Sequence, residues 1–83
     1  MKVRIPPTLR AATGGEREVP ATGTTVAEVI DDLTTRFPGL EGQLRYANVY
    51  VDGEDIRTLS DLDTPVGEGA TIILLPAMAG GLG

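Results

Sequence analysis

The sequence predicts an α+β domain in which one β-sheet packs against one main helix. Three observations lead to that class. A single amphipathic stripe, framed by start and stop signals, occupies residues 25–37. Short runs that alternate polar and apolar residues flank it, at 2–5 and 16–21 before and 48–52 after. The last apolar run, 70–75, is hydrophobic on both of its faces. The resulting order is β-β-α-β-β, which 83 residues hold as one domain with one small core.

Composition excludes several kinds of chemistry. The chain has no cysteine and no histidine. It supplies no thiol nucleophile, and it lacks both the usual general base near neutral pH and the commonest metal ligand. No catalytic side chain, metal site or bound cofactor is therefore expected. A net charge of −5 argues against nucleic acid, which requires clustered lysine and arginine. The same charge suits solubility and a basic protein partner. The N-terminus lacks the apolar core of a signal peptide and no membrane-spanning run occurs, so a cytoplasmic protein is expected.

In chain order, Val3 and Ile5 face the core from a first strand, which Pro6-Pro7 ends. Leu9 rejoins the core before a turn at Thr13-Gly14-Gly15, whose glycines permit positive φ. Residues 16–21 return as a short, mostly exposed strand around Val19, giving a hairpin. Gly14-Gly15 is a poor phosphate cradle, because no Lys-Ser/Thr follows and no helix begins there.

Thr25-Val26-Ala27-Glu28 fits a capping box with Thr25 as N-cap. Val26, Val29, Ile30, Leu33 and Phe37 then form one stripe on a helix of about three turns, which Pro38-Gly39 stops. Glu28, Asp31, Asp32 and Arg36 lie on its solvated face. Adjacent helical residues diverge, so Asp31-Asp32 is a poor cation site. Leu40 and Leu44 point inward from one further turn that reaches Arg45. Val49 and Val51 share one face of the next strand, with Tyr50 on the other. Asp52-Gly53 is a hairpin turn into residues 54–57. The acids Asp52, Glu54 and Asp55 lack the ligand spacing of a calcium loop. Leu59, Leu62 and Val66 are expected as plugs beneath a long loop ending at Gly67-Glu68-Gly69.

In the last strand Ala70, Ile72 and Leu74 share one face, and Thr71, Ile73 and Leu75 share the other. One helix covers one sheet face only. Ile73 and Leu75, with Tyr50 nearby, are therefore the candidate partner-docking patch. Beyond Pro76 the chain loses all periodicity, which divides it into a domain at 1–75 and a flexible arm at 76–83. Two readings of the arm stand side by side. It is a frayed terminus, where disorder concentrates in most domains, or it is a thin segment whose Gly80-Gly81 threads a narrow channel in another protein.

This strand order, with Asp/Gly-rich turns before a last apolar strand running into Pro76-Ala77-Met78-Ala79-Gly80-Gly81, resembles the ubiquitin-like β-grasp sulfur carriers. That family includes the small subunit of molybdopterin synthase and the thiamine-pathway carrier. Ile5-Pro6-Pro7-Thr8-Leu9-Arg10, Thr13-Gly14-Gly15, Asn48-Val49-Tyr50-Val51 and the stretch from Leu74 to Gly81 are most similar to the actinobacterial carriers of cysteine biosynthesis. Similar carriers serve sulfur-containing natural products. The resemblance covers essentially the whole chain and implies a mixed sheet on the main helix.

It also implies a mechanism in which the protein is not itself an enzyme. An adenylating enzyme of the ubiquitin-activating type, with ATP, would draw Met78, Ala79 and Gly80 into its active site. The Gly81 carboxylate would become an acyl-adenylate and then, with a sulfur donor, a thiocarboxylate. A sulfur-accepting synthase would consume it. Glycine suits that role because it leaves the attacked carbonyl open. One departure stands out: the family's active form ends at the second glycine, here Gly81, whereas this chain continues with Leu82-Gly83. Removal of that pair by a zinc metalloprotease of the JAMM type, cutting between Gly81 and Leu82, is the expectation. Two other classes remain: a ubiquitin-like modifier conjugated through Gly81 to lysines of other proteins, and a binding subunit whose tail plugs a partner without chemistry.

Overall fold

The computed structural model describes residues 1–44 and 47–76. Five strands make one mixed sheet: β1 (Lys2–Arg4), β2 (Glu18–Pro20), β3 (Ala47–Val51), β4 (Glu54–Asp55) and β5 (Thr71–Pro76). Their order across the sheet is β2-β1-β5-β3-β4. β1 and β5 run parallel, and the other neighbours are antiparallel. Helix α1 (Val26–Arg36), the short α2 (Glu41–Leu44) and four 3-10 helices accompany it among the described residues. The expected mixed sheet on one main helix is what forms.

Alternation decides the inward face. Val3, Ile72, Leu74, Val49 and Val51 lie on the covered side, together with Val26, Val29 and Leu33 of α1. Burying each such side chain stabilises the fold by about 1.5–3 kcal/mol. Leu40 and Leu44 also point inward, as their spacing predicts. Pro38 opens a single 3-10 turn, Pro38–Leu40, that carries Leu40 into the core.

At the start of α1 the Thr25 Oγ1 accepts the Glu28 N–H at 3.3 Å, so Thr25 is the N-cap. The reciprocal half differs from a capping box. Glu28 reaches one residue further back, accepting the Thr24 N–H at 2.7 Å and the Thr24 hydroxyl at 2.9 Å. Gly23, at φ 146°, bends the chain tightly over the first turn. A Cβ there would stand 2.9 Å from the Glu28 Cβ and 3.0 Å from the Val29 nitrogen, which only glycine avoids.

Three expectations change in detail. The β1–β2 connection is a 3-10 helix, Pro7–Thr13, with Leu9 and Thr13 buried. Thr13 turns inward because its hydroxyl finds the Arg10 and Glu16 carbonyls at 3.1 and 3.0 Å. The last strand runs through Pro76, opposite Ala47. That pair falls between the hydrogen-bonded pairs of the β3–β5 ladder, so proline's missing N–H costs it no bond there. The long loop is plugged by Ile56 and Thr64 (5% and 4% exposed), whereas Leu59 and Leu62 keep 42% and 50% of their surface in solvent. The cause is backbone lacing. Thr64 accepts the Val26 N–H through its carbonyl and the Ser60 N–H through its hydroxyl, each at 3.0 Å, and this fixes Thr64 inward.

Candidate functional site

The sequence singles out two places: the chain beyond Pro76 and the uncovered face of the sheet. Met78, Ala79, Gly80, Gly81 and Leu82 lie outside the described residues, as does Arg45. The strand that leads to them is described. β5 is the central strand, with β1 along one edge and β3 along the other.

The uncovered face is built by the residues that alternate with the core. Tyr50 pairs with Ile73 across the β3–β5 ladder, and Asn48 pairs with Leu75. Pairing at that distance brings cross-strand side chains into contact range, so the three apolar residues expected as a patch do share one face. Leu75 is 43% exposed, while Ile73 and Tyr50 are half-buried.

Sequence reasoning missed the charge around this patch. Arg4 stands opposite Ile73 on β1, and Lys2 opposite Thr71. The 3-10 helix swings Arg10 back so that its Nε donates to the Ile5 carbonyl at 3.1 Å. Arg4, Arg10 and Arg17 then line a shallow groove of about 510 Å³ together with Pro6, Ile73 and Leu75. Lys2 and Arg4 reach Glu18 only at 4.0 and 3.7 Å, in exposed pairs that hold little energy and leave both cations available. Four of the chain's seven cationic side chains thus gather on one face of an acidic protein. The alternation Lys2-Val3-Arg4 was the available signal; the placement of Arg10 and Arg17 depends on the 3-10 turn and had none.

Several acids elsewhere make structural bonds. Asp52, in the β3–β4 turn, accepts the Thr71 N–H at 3.0 Å. Asp32 accepts from Arg36 and from the Thr22 N–H; these bonds outweigh the opposing effect of burial and hold its carboxyl below the usual range. Asp55 is held low by the Arg57 side chain, 2.7 Å away, and then by the Arg57 N–H. Among the described residues no cluster of acids is placed to hold a metal ion. No helix among them is long and apolar enough to cross a membrane. What the described residues offer is an open sheet face whose central strand runs to Pro76.

Comparison with known proteins bears on that arrangement. The sequence pattern of the ThiS family matches residues 3–81. The chain is 38% identical to the sulfur carrier protein CysO of Mycobacterium tuberculosis over 89 aligned positions, covering 95% of this chain and 96% of that one. Among solved structures it resembles the Amycolatopsis orientalis BexX/CysO complex, with a TM-score of 0.86 and 43% identity over 92% of this chain and 93% of the other. It equally resembles the small archaeal modifier protein 1 of Methanosarcina acetivorans, with a TM-score of 0.87 and 29% identity, covering 96% of this chain and 94% of that one.

Proposed function

The chain belongs to the ThiS family, and from that footing we propose that it is a sulfur carrier charged at Gly81. Its homologues are small ubiquitin-like carriers and not catalysts. In an adenylating enzyme of the ubiquitin-activating type, a Gly81 carboxylate oxygen attacks the α-phosphorus of ATP and pyrophosphate leaves. A sulfide-equivalent nucleophile then attacks the acyl carbon, and AMP departs with the bonding electrons. The resulting thiocarboxylate donates sulfur to a synthase making cysteine, a cofactor or a sulfur-containing natural product. Dependence on ATP suits a cytoplasmic protein.

The observation that carries this reading is the family match through residue 81, the second of two glycines, in a chain with no thiol or imidazole of its own. Chemistry at a main-chain end requires no catalytic side chain, and glycine leaves the attacked carbonyl unhindered. The match stops short of Leu82-Gly83. We assign that pair to removal by a JAMM-type zinc metalloprotease, which would free the Gly81 carboxylate. Ile73, Leu75 and Tyr50 dock the adenylating enzyme, and the arginines beside them favour an acidic rim on it. Met78, Ala79 and Gly80 thread its channel.

A second reading, conjugation of Gly81 to lysines of other proteins, is favoured by the likeness to an archaeal modifier. One experiment separates the two. The full chain and a chain ending at Gly81 are incubated with the adenylating partner, ATP and sulfide, without peptidase, and their intact masses are followed. The shorter chain should gain the mass of sulfur replacing oxygen, and the full chain should not. Equal charging of both would overturn the processing step. Transfer to a lysine of another protein in place of sulfur capture would favour the modifier, and no acyl chemistry on either chain would leave only a plug.

A further inference from the structure

On the opposite flank from the arginine groove, β3 is longer than the strand that covers its outer edge. β4 pairs with β3 only at Tyr50 and Val51, opposite Asp55 and Glu54. Between them Asp52 and Gly53 sit at φ 50° and 88°, a two-residue turn of the I′ kind that makes Val51 and Glu54 a hydrogen-bonded pair. On the other side, the Asp52 N–H bonds to Thr71. Alternation then fixes the rest of β3. Asn48 and Tyr50 turn their N–H and C=O groups toward β5, and Ala47 and Val49 turn theirs outward. Beyond Asp55 the chain leaves the sheet for the 3-10 turn Ile56–Thr58. Among the described residues no partner is recorded for the outward groups of Ala47 and Val49.

Ala47 and Val49 border a groove of about 480 Å³ whose apolar walls include Ile30, Leu44, Ile56 and Leu62. Leu62 is half exposed at its lip. Three carboxylates, Glu41, Asp55 and Asp61, line the same groove against one guanidinium, Arg57, which Asp55 already holds at 2.7 Å. An unpaired strand edge is a template for another strand. The walls select apolar side chains and the carboxylates select cations.

We propose that this edge is a docking slot for an extended, cationic segment of a partner protein, which adds as a strand beside β3 at Ala47 and Val49. Its apolar side chains meet Ile30 and Leu62 along the groove, and its basic ones meet the carboxylates that line it. A second copy of this chain is the wrong occupant, because edge-to-edge pairing would bring two acidic grooves together. The slot lies along the outer edge of β3 and the arginine groove along β1, at opposite flanks of the sheet, and the proposal stands whether or not Gly81 is charged with sulfur.

The test uses the full ¹⁵N-labelled chain and a short capped peptide that alternates valine with lysine. At saturation, exchange of the Ala47 and Val49 amide hydrogens should slow by about tenfold or more, with shifts along residues 47–49 and around Leu62. Replacing lysine by glutamate in the peptide, or making Asp61→Asn in the protein, should weaken binding by about fivefold. Leu62→Ser should weaken it similarly without lowering the melting temperature, since that side chain is half exposed. Shifts confined to Ile73 and Leu75, equal binding of the glutamate peptide, or Val49 protection already present in the peptide-free chain would each overturn the proposal. The last outcome would assign the edge to this chain's own tail or to a second copy.

Discussion

Ile72 and Ile73 are the same residue one position apart, as are Leu74 and Leu75, yet the fold uses them oppositely. Ile72 and Leu74 are each 1% exposed beneath α1, whereas Leu75 keeps 43% of its surface and Ile73 is half-buried. Backbone, strand and intrinsic preference are shared. The difference is that α1 covers one face and no described element covers the other. Half of this strand's hydrophobicity therefore serves stability, and the other half is available for recognition.

The sharpest way to break that comparison is to shorten both leucines. Leu74→Ala should cost about 2–5 kcal/mol in urea unfolding, through lost transfer energy and a cavity. Leu75→Ala should stay within about 0.5 kcal/mol. Equal costs would mean that both faces are core. Next in size, Leu75→Asp should weaken binding to the proposed adenylating partner by about 2 kcal/mol, measured calorimetrically, while thermal unfolding barely moves. A smaller effect probes what keeps the helix over its face. Gly23→Ala forces a Cβ into the first turn of α1 at an unfavourable φ, and should destabilise by about 1–3 kcal/mol without touching the open face.

The smallest effect is a pH dependence of stability. Hydrogen bonds from the Thr24 backbone and then its hydroxyl hold Glu28 below its ordinary range, and those from Arg36 and Thr22 outweigh burial to do the same for Asp32. A carboxylate whose folded pKa is depressed contributes stability above its unfolded value and loses it as pH falls through the folded one. Stability should therefore be flat from neutral pH to about 5 and fall below about 4. In Glu28→Gln that fall should be shallower. Binding at Leu75 should show no such step.

Much of this was legible in the sequence, because local signals agreed with one another. Thr25, the stripe from Val26 to Phe37 and Pro38 place α1; Asp52-Gly53 places the β3–β4 turn; and alternation in 70–75 separates the two faces before any pairing is known. What escaped depends on contacts distant in sequence. Leu59 and Leu62 looked like plugs because they are apolar, but backbone bonds to Thr64 gave the inward place to a threonine. Glu28 reached Thr24 and not Thr25 because Gly23 bends the chain above it. Arg10 and Arg17 joined the site through a 3-10 turn with no periodic signature. The open edge at Val49 follows from a mismatch in strand lengths, and no single residue encodes it.

The central position of β5 has a mechanical consequence. A partner that drew the chain beyond Pro76 into a channel, as proposed, would pull along the axis of a strand hydrogen-bonded on both sides. The ladder bonds lie across that axis, so the load reaches many of them at once, in shear. A tail hung from β2 or β4 would instead peel the sheet one bond at a time from its margin. A load applied at the end of the middle strand can therefore be borne while the sheet stays intact.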